Sequence, residues 1–442
     1  MSASADPHAA VAATAGGVAE GGLRTADGRP LKAALAASQA RARRRAFLLV
    51  APLLAFVLVT FVAPIGQMLL RSVEDPRFVV HEDNATGERT PVMVNLRGWF
   101  SENPPGTEPD EAAYAALVAD LVVLRELRAQ GDVGTRVNYD APGSRSLFTK
   151  SARRAERLEP PYREALLDLD DDWADPALWQ TMRTASSRYT ASFYLAALDL
   201  QRDEAGEIER VPESRQVYVM LFERTLILSL VITGLTLILG FPVAHLLATL
   251  PLRYSNLLMI LVLLPFWTSL LVRTTSWIVL LQSQGVINDV AVAAGLISDG
   301  NRLQMIYNQA GTIIAMTHIL LPFTILPLYS VMRPIDPSYV RAARSLGASS
   351  WTAFRRVYLP QTVPGIGAGA LLVFILAVGY YITPALVGGS DGQLISNLIA
   401  FHMLQSFNWS LAAALATLLL AGILLLYWLY DRLVGIDNLK LG

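Results

Sequence analysis

Few residues in this chain are able to do chemistry, and their spacing excludes most enzymes. There are three lysines, Lys32, Lys150 and Lys440, and none follows a glycine. No phosphate-cradling Gly-Lys-Ser/Thr loop is therefore present, and the chain cannot hydrolyse ATP in the usual way. The five histidines, His8, His81, His245, His318 and His402, have no partner at i+3 or i+4, so no helical metal pair forms. There is no Gly-x-Ser-x-Gly elbow. Asp170-Asp171-Asp172 lacks the alternating oxygens and glycine of a calcium loop and reads as a solvated face or helix cap. With no cysteine, disulfides and thiolate sites are excluded. No catalytic residue, metal or bound cofactor is expected.

The better lead is the set of polar groups embedded in apolar runs, which are costly in a membrane and usually line a path. Pro265-Phe266-Trp267-Thr268-Ser269 is followed by Arg273, Thr274, Ser276 and Trp277. Pro265 breaks the backbone ladder, which is tolerated where a helix lines a cavity. Arg273 either faces that path or snorkels to headgroups. Tyr380, Tyr381, Thr383 and Pro384 form a second cluster beside Gly388-Gly389, and Asn397 and His402 precede the last apolar run. Trp267, Thr268, Ser269, Arg273, Trp277, Tyr380, Tyr381, Thr383 and Asn397 are thus candidates for a translocation path. His245, after Gly240-Phe241-Pro242, is expected to make an interhelical hydrogen bond.

The elements that must position these residues are membrane helices. The chain is 53% hydrophobic and only 17% charged, too apolar for an average soluble protein. Runs at about 46–70, 220–250, 257–281, 311–332, 364–388 and 409–430 each exceed the span length of roughly 18 residues. The fold class is all-α, with six transmembrane helices. Arg41 to Arg45, Arg253, Arg333, Arg341, Arg344, Arg355, Arg356, Arg432 and Lys440 fall in loops that the positive-inside rule puts in the cytoplasm, with both termini. Residues 1–45 read as a disordered cytoplasmic tail, 46–70 as the first span, 216–435 as a five-helix core with a cytoplasmic loop at 334–362, and 436–442 as a cytoplasmic C-terminus.

Residues 71–215 then form an extracytoplasmic insert. It holds 27 acidic and 18 basic residues, a net −9 against +8 for the remainder. Asp110–Gln130 and Arg153–Leu169 have helical periodicity. Trp173, Trp179, Tyr189, Phe193, Tyr194 and Leu195 supply a candidate core. An acidic surface of this kind either steers cations or is generic.

Between the fourth and fifth runs lies Val340-Arg341-Ala342-Ala343-Arg344-Ser345-Leu346-Gly347, continuing through Phe354-Arg355-Arg356 to Leu359-Pro360. Tyr339, Ala342, Ala343 and Leu346 follow the i, i+3, i+4, i+7 spacing of one helix face. Asp336-Pro337 starts this helix and Gly347 stops it. A second short helix is capped by Ser349 or Ser350 and ended by Pro360. This stretch resembles the EAA loop of ABC-importer permeases. Ala342, Ala343, Gly347, Leu359 and Pro360 match in kind and spacing, and Arg341 stands where the family has Glu. The resemblance implies a type I ABC-importer permease core and an ATPase-coupling loop carried by Arg341, Ala342, Ala343, Leu346, Gly347, Phe354, Leu359 and Pro360. An arginine there is expected to meet a carboxylate on the ATPase or in its own loop.

Pro265-Phe266-Trp267-Thr268-Ser269, Val272-Arg273-Thr274, Trp277 and Gly285-Val286-Ile287-Asn288 resemble the third-span region of spermidine/putrescine-type permeases. Tyr380 to Gly389 resembles their fifth span. The likeness covers residues 46–70 and 216–435, and the long insert departs from it. What it implies is a bacterial inner-membrane transport subunit with these partners: two ATPase copies binding ATP and Mg, a second permease, a periplasmic substrate-binding protein and the lipid bilayer, with no nucleic acid. Polyamines are the implied cargo. Importers of an opine, amino-acid derivative, phosphonate or ferric ion, and an ion-coupled secondary transporter, stay open as alternatives.

Overall fold

A computed structural model describes residues 31–83, 85–202 and 207–434. The tail before residue 31 and the segment 435–442 lie outside the described residues. The chain divides into two units, Met1–Gln67 and Met68–Gly442.

Among the described residues, the first unit is one helix. It runs from Leu31 through Val57, widens into a π turn at Leu58–Val62, and resumes at Ala63. Residues 31–45 were expected to be disordered and are helical instead. Leu, Ala, Lys and Arg dominate the stretch, and these are strong helix formers that extend the span backwards. Ala42–Arg71 is apolar and long enough to cross a membrane. The π turn has a local cause. Pro64 lacks an N–H, and its ring would strike the carbonyl four residues back. One wide turn, closed by the Ala63 N–H on the Leu58 carbonyl, relieves that conflict.

In the second unit, Tyr218–Thr249, Gln309–Met332, Ser350–Gly379 and Trp409–Arg432 are long and apolar enough to span a bilayer. A further pair, Leu252–Trp267 and Leu270–Ala293, meets at a 97° bend. Counting the pair as one gives the six spans expected. Spans two, four and five share one apolar core, in which Leu228 and Ile232 meet Met316 and Leu320 and then Val373 and Ala377.

Two corrections concern where helices stop. The third run is not continuous over 257–281. A 3₁₀ turn at Leu264–Trp267 ends its first half, and Ser269 caps the second by accepting the Val272 N–H at 3.2 Å. The fifth run does not extend over 364–388. Its helix closes at Gly379, Tyr380 is extended, and a separate short helix spans Ile382–Val387.

The insert has a core of its own. Trp173 and Trp179 are buried with Phe78, Leu96, Tyr114 and Phe148. The Trp173 indole donates to Ser151 Oγ at 3.0 Å, and the Trp179 indole to the Trp173 carbonyl at 2.9 Å. Asp110 caps helix Glu111–Glu126 as its periodicity suggests. Arg153–Leu169 is not one helix; Pro160-Pro161 divides it into a 3₁₀ turn at Ala155–Arg157 and a short helix at Tyr162–Leu167. Asp170 is a cap, as read, and also pairs with Lys150 at 2.7 Å. Lys150 and the Asp172 amide hold its carboxyl below the usual range. The sequence pattern gave no sign of two short hairpins, Val80–Glu82 with Arg89–Pro91 and Leu200–Arg202 with Ile208–Arg210.

The expected insert core was drawn too widely. Tyr189 is 61% exposed. Phe193 packs instead with Leu221, Ile395, Leu411 and Leu415, so helix Ser192–Ala197 joins the insert to the membrane core. Asp199 completes the join. Its buried carboxylate accepts the N–H groups of Val217, Tyr218 and Val219 at 2.8–3.1 Å, capping span two. Asp199 also has φ = 55°, a left-handed conformation that Asn tolerates and Ala does not. Asp199→Ala should therefore destabilise the chain by about 1–3 kcal/mol and Asp199→Asn by clearly less. The thermal unfolding midpoints of the purified variants check this, and equal midpoints for the two would remove the cap from the account.

Candidate functional site

The loop between spans four and five builds a projecting knob. Helix Ser338–Ser345 starts where Asp336 Oδ1 accepts the Ser338 N–H at 2.7 Å. That bond and the Ser338 hydroxyl hold the Asp336 carboxyl below the usual carboxylate range, with the Arg341 charge adding to the effect. The helix ends at Gly347, whose φ of +91° suits glycine and strains any other residue. Ser349 then caps the next turn by accepting the Thr352 N–H at 3.2 Å.

The apolar face of this knob is unburied. Arg341 and Ala342 are exposed and Ala343 is half-buried, while Leu346 is 89% exposed and Trp351 68%. Such a face on a short basic helix suits a partner surface. Behind it, Phe354 is half-buried and stacks on both Trp351 and Tyr358, with centroids 5.7 and 5.9 Å away.

Pro360 does not end the second helix. Ser350–Gly379 runs on as one helix through a π turn at Phe354–Tyr358, closed by the Leu359 N–H on the Phe354 carbonyl. The cause is the one seen at Pro64: a widened turn just ahead of a proline takes up its missing donor and its ring. Leu359 and Pro360 therefore sit where the docking segment becomes the span.

The second part of the site is where the broken helices meet. Thr274 and Thr383 hydroxyls lie 3.2 Å apart, tying the second half of span three to helix Ile382–Val387. The Trp277 indole donates to His318 Nδ1 at 3.1 Å, which leaves the imidazole proton on Nε2. Arg273 lies close enough to act electrostatically on His318 and Tyr380, and its buried Nε has no hydrogen-bond partner among the described residues. Asn397 does two jobs: its Oδ1 accepts the Leu394 N–H at 3.0 Å, and its Nδ2 donates to the Tyr381 carbonyl at 2.7 Å. Arg273, Trp277, Tyr380, Tyr381, Thr383 and Asn397 are thus brought into one region.

Trp267, Thr268 and Ser269 stand at the bend itself. Trp267 is 87% exposed, and the Thr268 hydroxyl donates to the Pro265 carbonyl of its own turn at 2.8 Å. Sequence reasoning missed the hydroxyls that pin residues 380–396, between spans five and six. Ser396 donates to the Tyr380 carbonyl at 2.6 Å, Thr312 donates to Gly392 at 3.0 Å, and Thr225 accepts from Ile395 at 2.8 Å. A signal was available, since Thr225 and Thr312 are polar residues inside apolar runs.

The match with known proteins follows these elements. Residues 237–435 match the family described as binding-protein-dependent transport system inner membrane component. The spermidine/putrescine transport system permease protein PotB of Salmonella typhimurium (strain SL1344) is 35% identical over 246 residues, covering 53% of this chain and 85% of that protein. PotB of Haemophilus influenzae is 35% identical over 222 residues, covering 50% and 77%. The chain belongs to this family. It is a multi-pass permease subunit of a binding-protein-dependent transporter, and such a transporter also needs an ATPase and a substrate-binding protein. A solved bacterial alginate ABC transporter, in complex with an alginate pentasaccharide-bound periplasmic protein, is 20% identical, with a TM-score of 0.42 over 51% of this chain and 80% of that one.

Gly388, just past helix Ile382–Val387, has no room for a side chain. A Cβ there would lie 2.5 Å from Thr312 Oγ1 and 2.6 Å from the Pro384 carbonyl. Gly388→Ala should reduce transport at least about tenfold, because a contact this close forces backbone to move. Uptake normalised to membrane abundance is the measurement, and wild-type uptake by this variant would show the packing to be slack.

Proposed function

We propose that this chain is a membrane-spanning subunit of an ATP-driven importer of polyamines of the spermidine/putrescine kind. The observation that carries the substrate class is the 35% identity over 246 residues to permeases of that name, which reaches across 85% of their length. The knob at 338–347 is the contact for the ATPase, and Arg341, Ala342, Ala343, Leu346 and Gly347 form its face. Phe354, Leu359 and Pro360 join it to span five. ATP and Mg bind to two copies of that partner ATPase, and this chain binds no cofactor. It pairs with a second permease and receives substrate from a periplasmic binding protein. Both termini lie in the cytoplasm, which puts the basic knob inside and the −9 insert outside.

The transport path runs along the bend of span three. Trp267, Thr268 and Ser269 border it, and the Arg273, Trp277, Tyr380, Tyr381, Thr383 and Asn397 region lies at its side. A helix broken at 97° leaves backbone groups that must face protein or water, because lipid cannot satisfy them. The transport cycle exchanges inward-open and outward-open states, whose balance ATP and the loaded binding protein shift.

Substrate-stimulated ATPase activity of the assembled transporter tests this reading. Spermidine or putrescine with the binding protein should stimulate hydrolysis, and Gly347→Val should abolish that stimulation. Stimulation by another solute alone would discard the polyamine assignment. Arg341→Glu should weaken ATPase association about three- to tenfold, the worth of one charge-assisted contact. Unchanged association would mean that Arg341 serves Asp336 and its own loop instead.

A further inference from the structure

Two contacts inside the permease join the docking segment to span two, which does not adjoin it along the chain. The π turn Phe354–Tyr358 begins span five, and span two passes beside it. There the Tyr358 hydroxyl and His245 Nδ1 are 2.9 Å apart, with the rings edge-on at 5.0 Å. One turn away, Phe241 meets Phe354 edge-on at 6.1 Å. Tyr358 is buried within the cluster that also holds Ala244, Leu247 and Leu328.

These contacts form a short path through packed rings. Trp351 is exposed on the knob, Phe354 stacks on it, Tyr358 stacks on Phe354, and His245 bonds to Tyr358. Leu346 and Trp351 face outward, so a partner can push on this end. A π turn has one residue more than an α turn, so it interrupts the α ladder where the docking segment becomes the span. Left to itself, the π turn would absorb a push on the knob. The hydrogen bond and the Phe241 contact fix it to span two.

We infer that His245 and Tyr358 are a positioning pair that delivers displacement of the docking helix to span two, coupling ATP hydrolysis to substrate movement. The inference rests on the coupling role proposed above for the knob. Neither residue touches substrate. They act through the helices they join, and losing the bond leaves the knob able to dock while span two follows poorly.

The test compares Tyr358→Phe, His245→Leu and His245→Asn in the full transporter reconstituted in liposomes, with spermidine and the binding protein supplied. The quantity read is spermidine imported per ATP hydrolysed. Tyr358→Phe and His245→Leu should each lower this ratio about three- to tenfold while ATP hydrolysis continues. His245→Asn keeps a polar atom near the Nδ1 position and should restore most of the ratio. A merely structural pair would lower import and hydrolysis together and leave the ratio unchanged, and that result overturns the inference. Tyr358→Phe removes one oxygen from a ring whose stacking is kept, so the ratio stays measurable even if His245→Leu assembles poorly. A wild-type complex that couples another solute would be measured with that solute. A wild-type chain that holds no ATPase would sink the coupling role itself, and the pair with it.

Discussion

The constraint on which everything else depends is that backbone N–H and C=O groups must find partners when no water is present. Four of the apolar runs satisfy it within one continuous helix. The other two do not, and the structure around the breaks is explained by what they leave open. At span three, Ser269 accepts the Val272 amide. Beyond Gly379, the freed carbonyls of Tyr380 and Tyr381 are taken by Ser396 and Asn397. Asn397 also accepts the Leu394 N–H at the start of helix Ile395–Leu404. Polar side chains that look like candidate substrate groups in the sequence are therefore partly occupied in repairing the backbone. Asn397 and Ser396 are held by that work, whereas Trp267 is left exposed.

The same constraint explains both π turns. Pro64 and Pro360 each follow one by two residues. In both places a proline inside a span is absorbed by widening the turn before it, and the helix continues. Pro265 meets the other fate. It falls in the first turn of a 3₁₀ segment followed by an extended Thr268, and there the span breaks. A proline in an apolar run thus has several outcomes, since Pro242, Pro322 and Pro327 lie inside continuous α-helices, and at Pro265 and Pro360 the residues that follow differ. Ser269 is ready to cap a new helix, whereas Gln361 and Thr362 sit within one that continues.

This distinction marks the limit of what the sequence could reveal. Run length located the spans and periodicity the first helix of the knob, because burial in lipid demands long apolar runs and that helix has an amphipathic repeat. His245 was expected to bond between helices, and it does so. Helix ends near Pro265, Gly379 and Pro360 were misplaced, since run length cannot tell a straight helix from one that turns back. The division of the insert's aromatics was hidden for a different reason. Trp173 and Phe193 look alike in sequence, yet one fills the insert and the other meets Leu411 and Leu415 from a span more than two hundred residues later. Only long-range packing separates them.

That last contact bears on how the insert belongs to the permease. Its final helix, Ser192–Ala197, shares a core with span two at Leu221, helix Ile395–Leu404 at Ile395 and span six at Leu411. Asp199 then binds the first amides of span two. An insert joined only through a flexible linker could tilt freely. This one cannot tilt without opening an apolar cluster and uncapping a span, and each loss costs about 1 kcal/mol or more. Ile395 opens the same helix whose Ser396 and Asn397 hold the broken backbone at Tyr380 and Tyr381. The insert is thus mechanically continuous with the side of the proposed path, and a force on it arrives one residue from the groups that keep the break in span five intact.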